Sequence, residues 1–310
     1  MNEQGITVIL TGYRRPENLK EQLAALRHQT VQPEEIFFFQ DAATPSVKFD
    51  SDLFEGVNHI SVSKNIGVWG RFAVGFWAKT KYVCIFDDDT IPGAKWLENC
   101  LSTIQTNRGL LGTIGIIANA NDDYLHYHTR IGWANPNMEV MEVDLVGHSW
   151  FFERSWLTVF WQDSDDYWQA AKVGEDIHFS HMLQKYLGLK TYVPPHPPND
   201  HSMYGSLPEF ANELGIDGKG VSVLNEDLMN QYMKKAREHG FRLLNEDYDF
   251  FKTENGWERS PKSSFDKQKD QVLKALNIQS IKKGKRTLMS MVKDILRPFY
   301  RFLFNTIHKI

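Results

Sequence analysis

Tyr82-Val83-Cys84-Ile85-Phe86 runs without a polar residue into Asp87-Asp88-Asp89. An apolar run of this length bounded by polar residues suits a strand buried on both faces better than a helix. Three adjacent carboxylates repel one another, so they belong at the strand's open end, where water or a cation compensates them. The arrangement recurs. Ile6–Leu10 precedes Thr11-Gly12, Glu35–Phe39 precedes Gln40-Asp41, and Val57–Val62 reads as a further strand. Helical spacing lies between these runs: Leu19, Leu23 and Leu26 after Pro16, then Phe72, Phe76 and Trp77 within Arg71–Ala78. Strands alternating with helical patterns predict an α/β chain with a mostly parallel sheet and crossover helices. Ligands of such sheets gather beyond the carboxyl ends of the strands. Thr11, Asp41 and Asp87–Asp89 therefore belong to one crevice.

The second half is less regular. Leu110–Ala118 and Val140–Val146 read as strands, and the segment from Trp150 to Trp168 is rich in aromatics. Gly174-Glu175-Asp176 precedes a helical pattern at Ile177, Phe179, Leu183 and Leu187, followed by Thr191–Val193 and the prolines of Pro194–Pro198. The expected organisation is a main domain over 1–250, with a nucleotide-binding half at about 1–105 and an acceptor half at about 106–205. A polar linker at 251–280 follows, with a helix near Gln268–Leu276, and then a basic segment at 281–310.

Composition narrows the function. With 42% hydrophobic and 13% aromatic residues the chain can bury a large core, which argues against disorder. A net charge of −4 argues against a general nucleic-acid binder. The charge is uneven, however: residues 281–310 carry eight Lys/Arg against Asp294 alone, a local +7 that leaves −11 elsewhere. The only cysteines, Cys84 and Cys100, lack metal-ligand spacing and suit a reducing cytosol. Met1–Leu10 does not resemble a signal peptide, and no stretch reaches the roughly 20 apolar residues needed to span a bilayer.

Several residues can carry chemistry. Asp87–Asp89 offer the hard oxygen ligands that Mg²⁺ or Mn²⁺ prefers, and such an ion can bridge a carboxylate to a diphosphate. A solvated acidic loop is the plainer alternative. Glu175 and Asp176 at a helix start are either ordinary dipole partners or a general base for an acceptor hydroxyl. His201 can complete a metal shell beside Asp89, or, like His196, be a surface or core histidine. Arg14, Arg15 and Arg71 have the guanidinium geometry for phosphate, or are solvated arginines. The aromatics from Trp150 onward offer a platform for a sugar ring, or simply core.

In the tail, Leu288, Met291, Ile295, Phe299, Phe302 and Ile310 define a broad apolar face, with Lys293, Arg297 and Arg301 opposite. A basic amphipathic helix of this kind suits an anionic bilayer interface, with a helix packed on protein as the alternative.

These residues together resemble the family 2 inverting glycosyltransferases of GT-A fold, over about residues 5–205. Val8-Ile9-Leu10-Thr11-Gly12-Tyr13-Arg14-Arg15 is similar to that family's first strand and nucleotide loop, with an extra glycine and with Arg14 in place of the usual Asn. Glu35–Phe39 with Asp41 resembles the strand whose acid meets the base, with Gln40 replacing the first acid. Asn65-Ile66-Gly67 resembles the N-x-G turn. Asp87-Asp88-Asp89 matches the D-x-D motif and Glu175-Asp176 the E-D pair. The resemblance implies an NDP-sugar donor, UDP-sugar first, held by Thr11, Tyr13, Arg14, Asp41, Asn65, Arg71, Asp87 and Asp88. It implies Mn²⁺ or Mg²⁺ on Asp89 and a base at Asp176, next to Glu175.

Asp87–Asp89, Gly147–Phe152 and Glu175–Ile177 also resemble the retaining exostosin-like family 64, which brings in His148 and Trp150 on the acceptor side. The expected protein is thus a metal-dependent transferase acting on a glycan or glycolipid, held at the cytoplasmic face of a membrane by its tail. A sugar nucleotidyltransferase and a non-catalytic nucleotide-sugar-binding module are the rival classes.

Overall fold

Four strands make up the N-terminal part of the sheet: β1 (Ile6–Gly12), β2 (Glu35–Gln40), β3 (Asn58–Ser61) and β4 (Tyr82–Phe86). The structure, a computed structural model, describes residues 4–42, 47–118, 128–133, 135–163, 173–210, 226–253 and 256–275. These strands lie in the order β3-β2-β1-β4, all parallel, and are joined through α1 (Asn18–Arg27) and α2 (Gly70–Val74), the latter continuing as a 3₁₀ turn to Trp77. Burial explains the composition: Val8, Ile9, Leu10 and Val83–Phe86 are fully enclosed, as strands covered on both faces must be.

After β4 the direction changes. Helix α3 (Trp96–Thr106) leads to β5 (Gly109–Ala118), β6 (His128–Gly132), β7 (Met141–Val143), β8 (Leu145–Glu153) and β9 (Lys190–Val193). β8 inserts antiparallel between β4 and β5, β9 runs parallel to β5, and β6 and β7 close antiparallel pairs. The sheet is thus parallel through β1–β4 and mixed beyond them. The single strand expected at Val140–Val146 is two strands, β7 and the start of β8, divided at Asp144. The carboxylate of that buried residue accepts from the backbone N–H groups of Ala118 and Leu244, both at 2.7 Å.

Most of the aromatic stretch is core. Phe152, Phe160 and Phe179 pack with Phe72 around Trp69 and Trp150, with Phe72 and Phe160 stacked at 4.5 Å. These rings lie between the sheet, α2, α4 (Leu157–Phe160) and α5 (Glu175–Leu187). Trp168 lies outside the described residues.

The chain divides into two compact units, Met1–Ser260 and Pro261–Ile310. In the first, α6 (Glu226–Glu238) buries Met229, Tyr232 and Met233. A separate two-stranded sheet follows, of β10 (Tyr248–Thr253) and β11 (Gly256–Pro261), so the first part of the expected linker is a strand pair. In the second unit α7 (Ser264–Ala275) covers most of the helix expected near Gln268–Leu276, and Lys262 pairs with Asp270 at 2.6 Å. The basic segment 281–310 lies outside the described residues. Among the described residues no helix is long and apolar enough to cross a membrane.

Candidate active site

The carboxyl ends of β1, β2 and β4 open on one side of the sheet, and the turn after β4 carries Asp87–Asp89 there. Its backbone is held from α1 and β8. Asn18 Nδ2 donates to the Asp88 carbonyl and Gln22 Nε2 to the Asp87 carbonyl, both at 2.7 Å. The Asp87 N–H and the Thr90 hydroxyl donate to the His148 carbonyl, both at 3.0 Å. A turn fixed at this many points can present three carboxylates in set directions despite their mutual repulsion.

His148 reaches this turn through a β-bulge. Gly112 pairs with Trp150 and Ile114 with Gly147, so two residues of β8 oppose one of β5. His148 is one of the two, with φ of 65°, a left-handed conformation uncommon for a side chain of this size. The bulge turns its ring towards the acids, with Nδ1 at 3.7 Å from Asp89 Oδ1. One ligand atom each from Asp87, Asp89 and His148 fall within 4.8 Å of one another. Sequence reasoning placed His148 on the acceptor side. The available signal was Gly147-His148 interrupting an apolar strand.

Two arginines balance the acids. Arg15, almost fully buried, approaches Asp88 Oδ1 at 2.5 Å and Asp89 Oδ2 at 3.4 Å with one nitrogen. Arg71, on α2, bonds Asp87 Oδ1 through Nη1 and Glu175 Oε1 through Nη2, the latter at 2.6 Å. Its guanidinium lies 4.3 Å from the centre of the Trp150 ring. Trp150 is 2% exposed, so its face carries Arg71 and cannot carry a sugar. Arg71 likewise is committed to carboxylates. Arg14 is the exposed one: its guanidinium stacks on Tyr13 at 4.6 Å, donates to the Tyr13 hydroxyl at 3.1 Å, and its backbone N–H meets Asp88 Oδ2 at 3.3 Å.

Glu175 and Asp176 begin α5 directly after Gly174, whose φ is 89°. A Cβ there would meet the Tyr232 ring at 2.8 Å, so both conformation and space require glycine. Asp176 Oδ1 accepts from the Ile177 N–H at 2.7 Å. The helix start thus sits against the metal-type group, with Arg71 as the link.

Thr11, Asp41 and Asn65 lie at the neighbouring strand ends and turn. Thr11 donates to the Phe86 carbonyl at 2.9 Å, tying β1 to β4 at their ends. Asp41 accepts from the N–H groups of Ala42, Ile66 and Gly67, while Asn65 Oδ1 accepts from Gly67 at 2.9 Å. Asp41 therefore closes the Asn65–Gly67 turn.

His201 stands apart from these clusters. It begins a 3₁₀ turn packed over Gly93, its ring 4.8 Å from that of Tyr204, and it is not in the Asp87–Asp89–His148 group. His196 is a core residue: Nδ1 donates to the Pro194 carbonyl at 2.8 Å and Nε2 accepts from Thr113 at 3.2 Å.

Crowding of buried acids shows in their proton affinities. Burial, opposed by Arg71 and reinforced by Asp89, pushes Asp87 up to about 6. Burial raises Asp88 in spite of Arg15. Asp89 goes the other way: burial would raise it, but His148 and Arg15 hold it below the usual carboxylate range. His148 is raised, because Asp89 and Asp87 outweigh its burial. Burial pushes Glu175 up to about 8, with Arg71 opposing and Asp176 and Asp87 adding to the rise. Burial is thus the main cause that raises Asp87, Asp88 and Glu175, and Asp89 is the acid held in its charged form.

A half-parallel α/β sheet with acids gathered at its strand ends defines a class, the GT-A glycosyltransferases. The family model described as glycosyl transferase family 2 matches residues 7–168, and the chain belongs to that family. No curated protein matches the chain. Among solved structures, TarS of S. aureus is similar with 16% identity and a TM-score of 0.42, over 76% of this chain and 42% of that one. The chain thus spans less than half the length of that protein.

Proposed function

We propose that this glycosyltransferase moves a sugar from an NDP-sugar, UDP-sugar first, to a glycan or glycolipid hydroxyl with inversion, using a divalent cation. The observation that carries this reading is the convergence of Asp87, Asp89 and His148 opposite the Glu175-Asp176 helix start. Two carboxylates and an imidazole suit Mn²⁺ better than Mg²⁺, which prefers oxygen alone. Once bound, the ion supplies positive charge for the departing diphosphate.

The chain's own residues do the rest. Asp41, Asn65 and Thr11 shape the floor of the base pocket, and Tyr13 with Arg14 forms its exposed wall. Arg14, the one unburied arginine of its loop, meets the diphosphate. Asp176 takes the acceptor proton as the acceptor oxygen bonds to the anomeric carbon and the carbon–phosphate-oxygen bond breaks. Glu175, bonded to Arg71 beside the base, shapes the acceptor pocket. His201, Trp150 and Arg71 are not assigned direct contact with either substrate.

The test is a thermal-shift panel of NDP-sugars, each with and without Mn²⁺. A ligand that binds only the folded protein raises its melting temperature by mass action. A shift with one donor that needs the metal is expected; metal-independent shifts with every donor would remove the metal from the reading. Asp89→Ala is expected to lower transfer by about 10²–10³-fold with folding retained.

For the tail, the pattern and the +7 charge of 281–310 support attachment to the cytoplasmic face of an anionic membrane. Chains with and without residues beyond Gln279 are to be compared by liposome flotation. Equal flotation removes that role.

A further inference from the structure

Arg71 touches both halves of the site. Its two terminal nitrogens are divided between Asp87, a metal-type ligand, and Glu175, at the start of the helix that carries the base. Its Nε is buried without a hydrogen-bond partner, and Trp150 lies flat beneath it. The guanidinium is therefore held in place by its two carboxylates and one ring face.

A cation entering between Asp87, Asp89 and His148 would compete with Arg71 for the Asp87 carboxylate. The two positive charges cannot both take full possession of it, since at this burial each repels the other strongly.

We propose that Arg71 is a positioning residue that links metal occupancy to Glu175: when the cation takes Asp87, the guanidinium gives up Asp87, keeps Glu175 alone and orders the start of α5. This rests on the proposed metal site and adds regulation to it. Metal binding then depends on Glu175, which is not a ligand, because Glu175 is the alternative anchor that lets Arg71 release Asp87. In the chain without Glu175, Arg71 has only Asp87 to hold, and the cation must displace it at greater cost. The carboxylate of Glu175 also attracts the cation directly through space, but that attraction does not depend on Arg71.

A double-mutant cycle separates the two routes. Mn²⁺ is titrated into the full chain without nucleotide, followed by calorimetry and by the Mn²⁺ EPR signal. Arg71→Gln is expected to bind Mn²⁺ at least about tenfold more tightly, having lost the competitor. Glu175→Ala is expected to weaken Mn²⁺ binding by roughly fivefold or more, and to have much less effect when made in Arg71→Gln. An equal loss in both backgrounds reduces Glu175 to a distant charge and overturns the link, as does no loss in the wild-type background.

Melting curves accompany each variant, because removing Arg71 takes the shared cation from the buried Glu175 and the partly buried Asp87. If Arg71→Gln does not fold, Arg71→Met serves: it fills the space over Trp150 without a charge to compete for Asp87, so the Glu175→Ala effect must still shrink. A wild-type chain that binds no Mn²⁺ overturns the metal reading itself. One that binds Mn²⁺ without the coupling overturns the link alone.

Discussion

His148 shows how much a single residue can depend on backbone conformation. Its left-handed φ of 65° costs of order 1 kcal/mol for a non-glycine residue and persists because the bulge and the Asp87–Thr90 turn hold it. His148→Gly separates strain from chemistry. Thermal stability is expected to stay within about 1 kcal/mol of wild type, since glycine adopts this φ freely. Mn²⁺ affinity, measured by calorimetry, is expected to fall by about tenfold or more. A unchanged affinity would remove the imidazole from the ligand set.

His196 gives a second residue-scale outcome. Burial lowers it from its ordinary 6.5 to about 4, and donation by the Gly205 N–H to Nε2 while Nδ1 donates to the Pro194 carbonyl requires the neutral ring. In the unfolded chain it gains a proton as pH falls through 6.5, while in the folded chain it does not until about 4. Its contribution is thus present above 6.5 and is lost on acidification between those values. The stability gap between wild type and His196→Phe, from urea unfolding, should narrow by up to about 3 kcal/mol from pH 7 to pH 4. The raised acids of the active site act alike in both variants and cancel.

At the scale of elements, the N-terminal half was readable and the other half less so. β1, β2 and β4 are apolar runs whose ends are marked by polar residues, as parallel strands covered on both faces have to be written, while β3 is a largely exposed edge strand marked in sequence only by Val57, Ile60 and Val62. The helix at Leu19, Leu23 and Leu26 buries those three residues. Helix α3 escaped notice, because Trp96, Leu97, Cys100, Leu101 and Ile104 follow a proline-containing loop and share their sequence with polar residues that are also buried, Asn99 and Thr103. β8 reads in sequence as an aromatic patch. Its alternation is hidden because Trp150, Phe151 and Phe152 are covered on both faces.

Contacts between loops are less legible still. The turn at His201–Met203 closes over Gly93, whose added Cβ would lie 2.4 Å from the His201 carbonyl oxygen and 2.5 Å from that of Ser202. Gly93→Ala must push backbone against backbone, and is expected to cost about 2 kcal/mol in denaturant unfolding. A cost within experimental error would mean that this turn moves aside freely.

For the molecule as a whole, the sequence by itself determined the class of sheet, the end of it at which chemistry gathers, and the acids that gather there. These are local properties: periodicity writes the strands, and the residues after each parallel strand necessarily face the same side. Thr11, Asp41 and Asp87–Asp89 were placed on that basis, and Glu175-Asp176 from a helix start.

Only the tertiary structure decided which charges meet. Arg14, Arg15 and Arg71 look alike in sequence, yet packing buries Arg15 and Arg71 against carboxylates and leaves Arg14 exposed. The sequence put His201 forward for the metal and His148 for the acceptor side, yet a bulge 59 residues beyond Asp89 brings His148 to it while a turn over Gly93 holds His201 elsewhere. Trp150 offers the same ring to a sugar or to a guanidinium until α2 places Arg71 on its face. Pairings of this kind depend on register and bulges summed over many residues, so no local pattern encodes them.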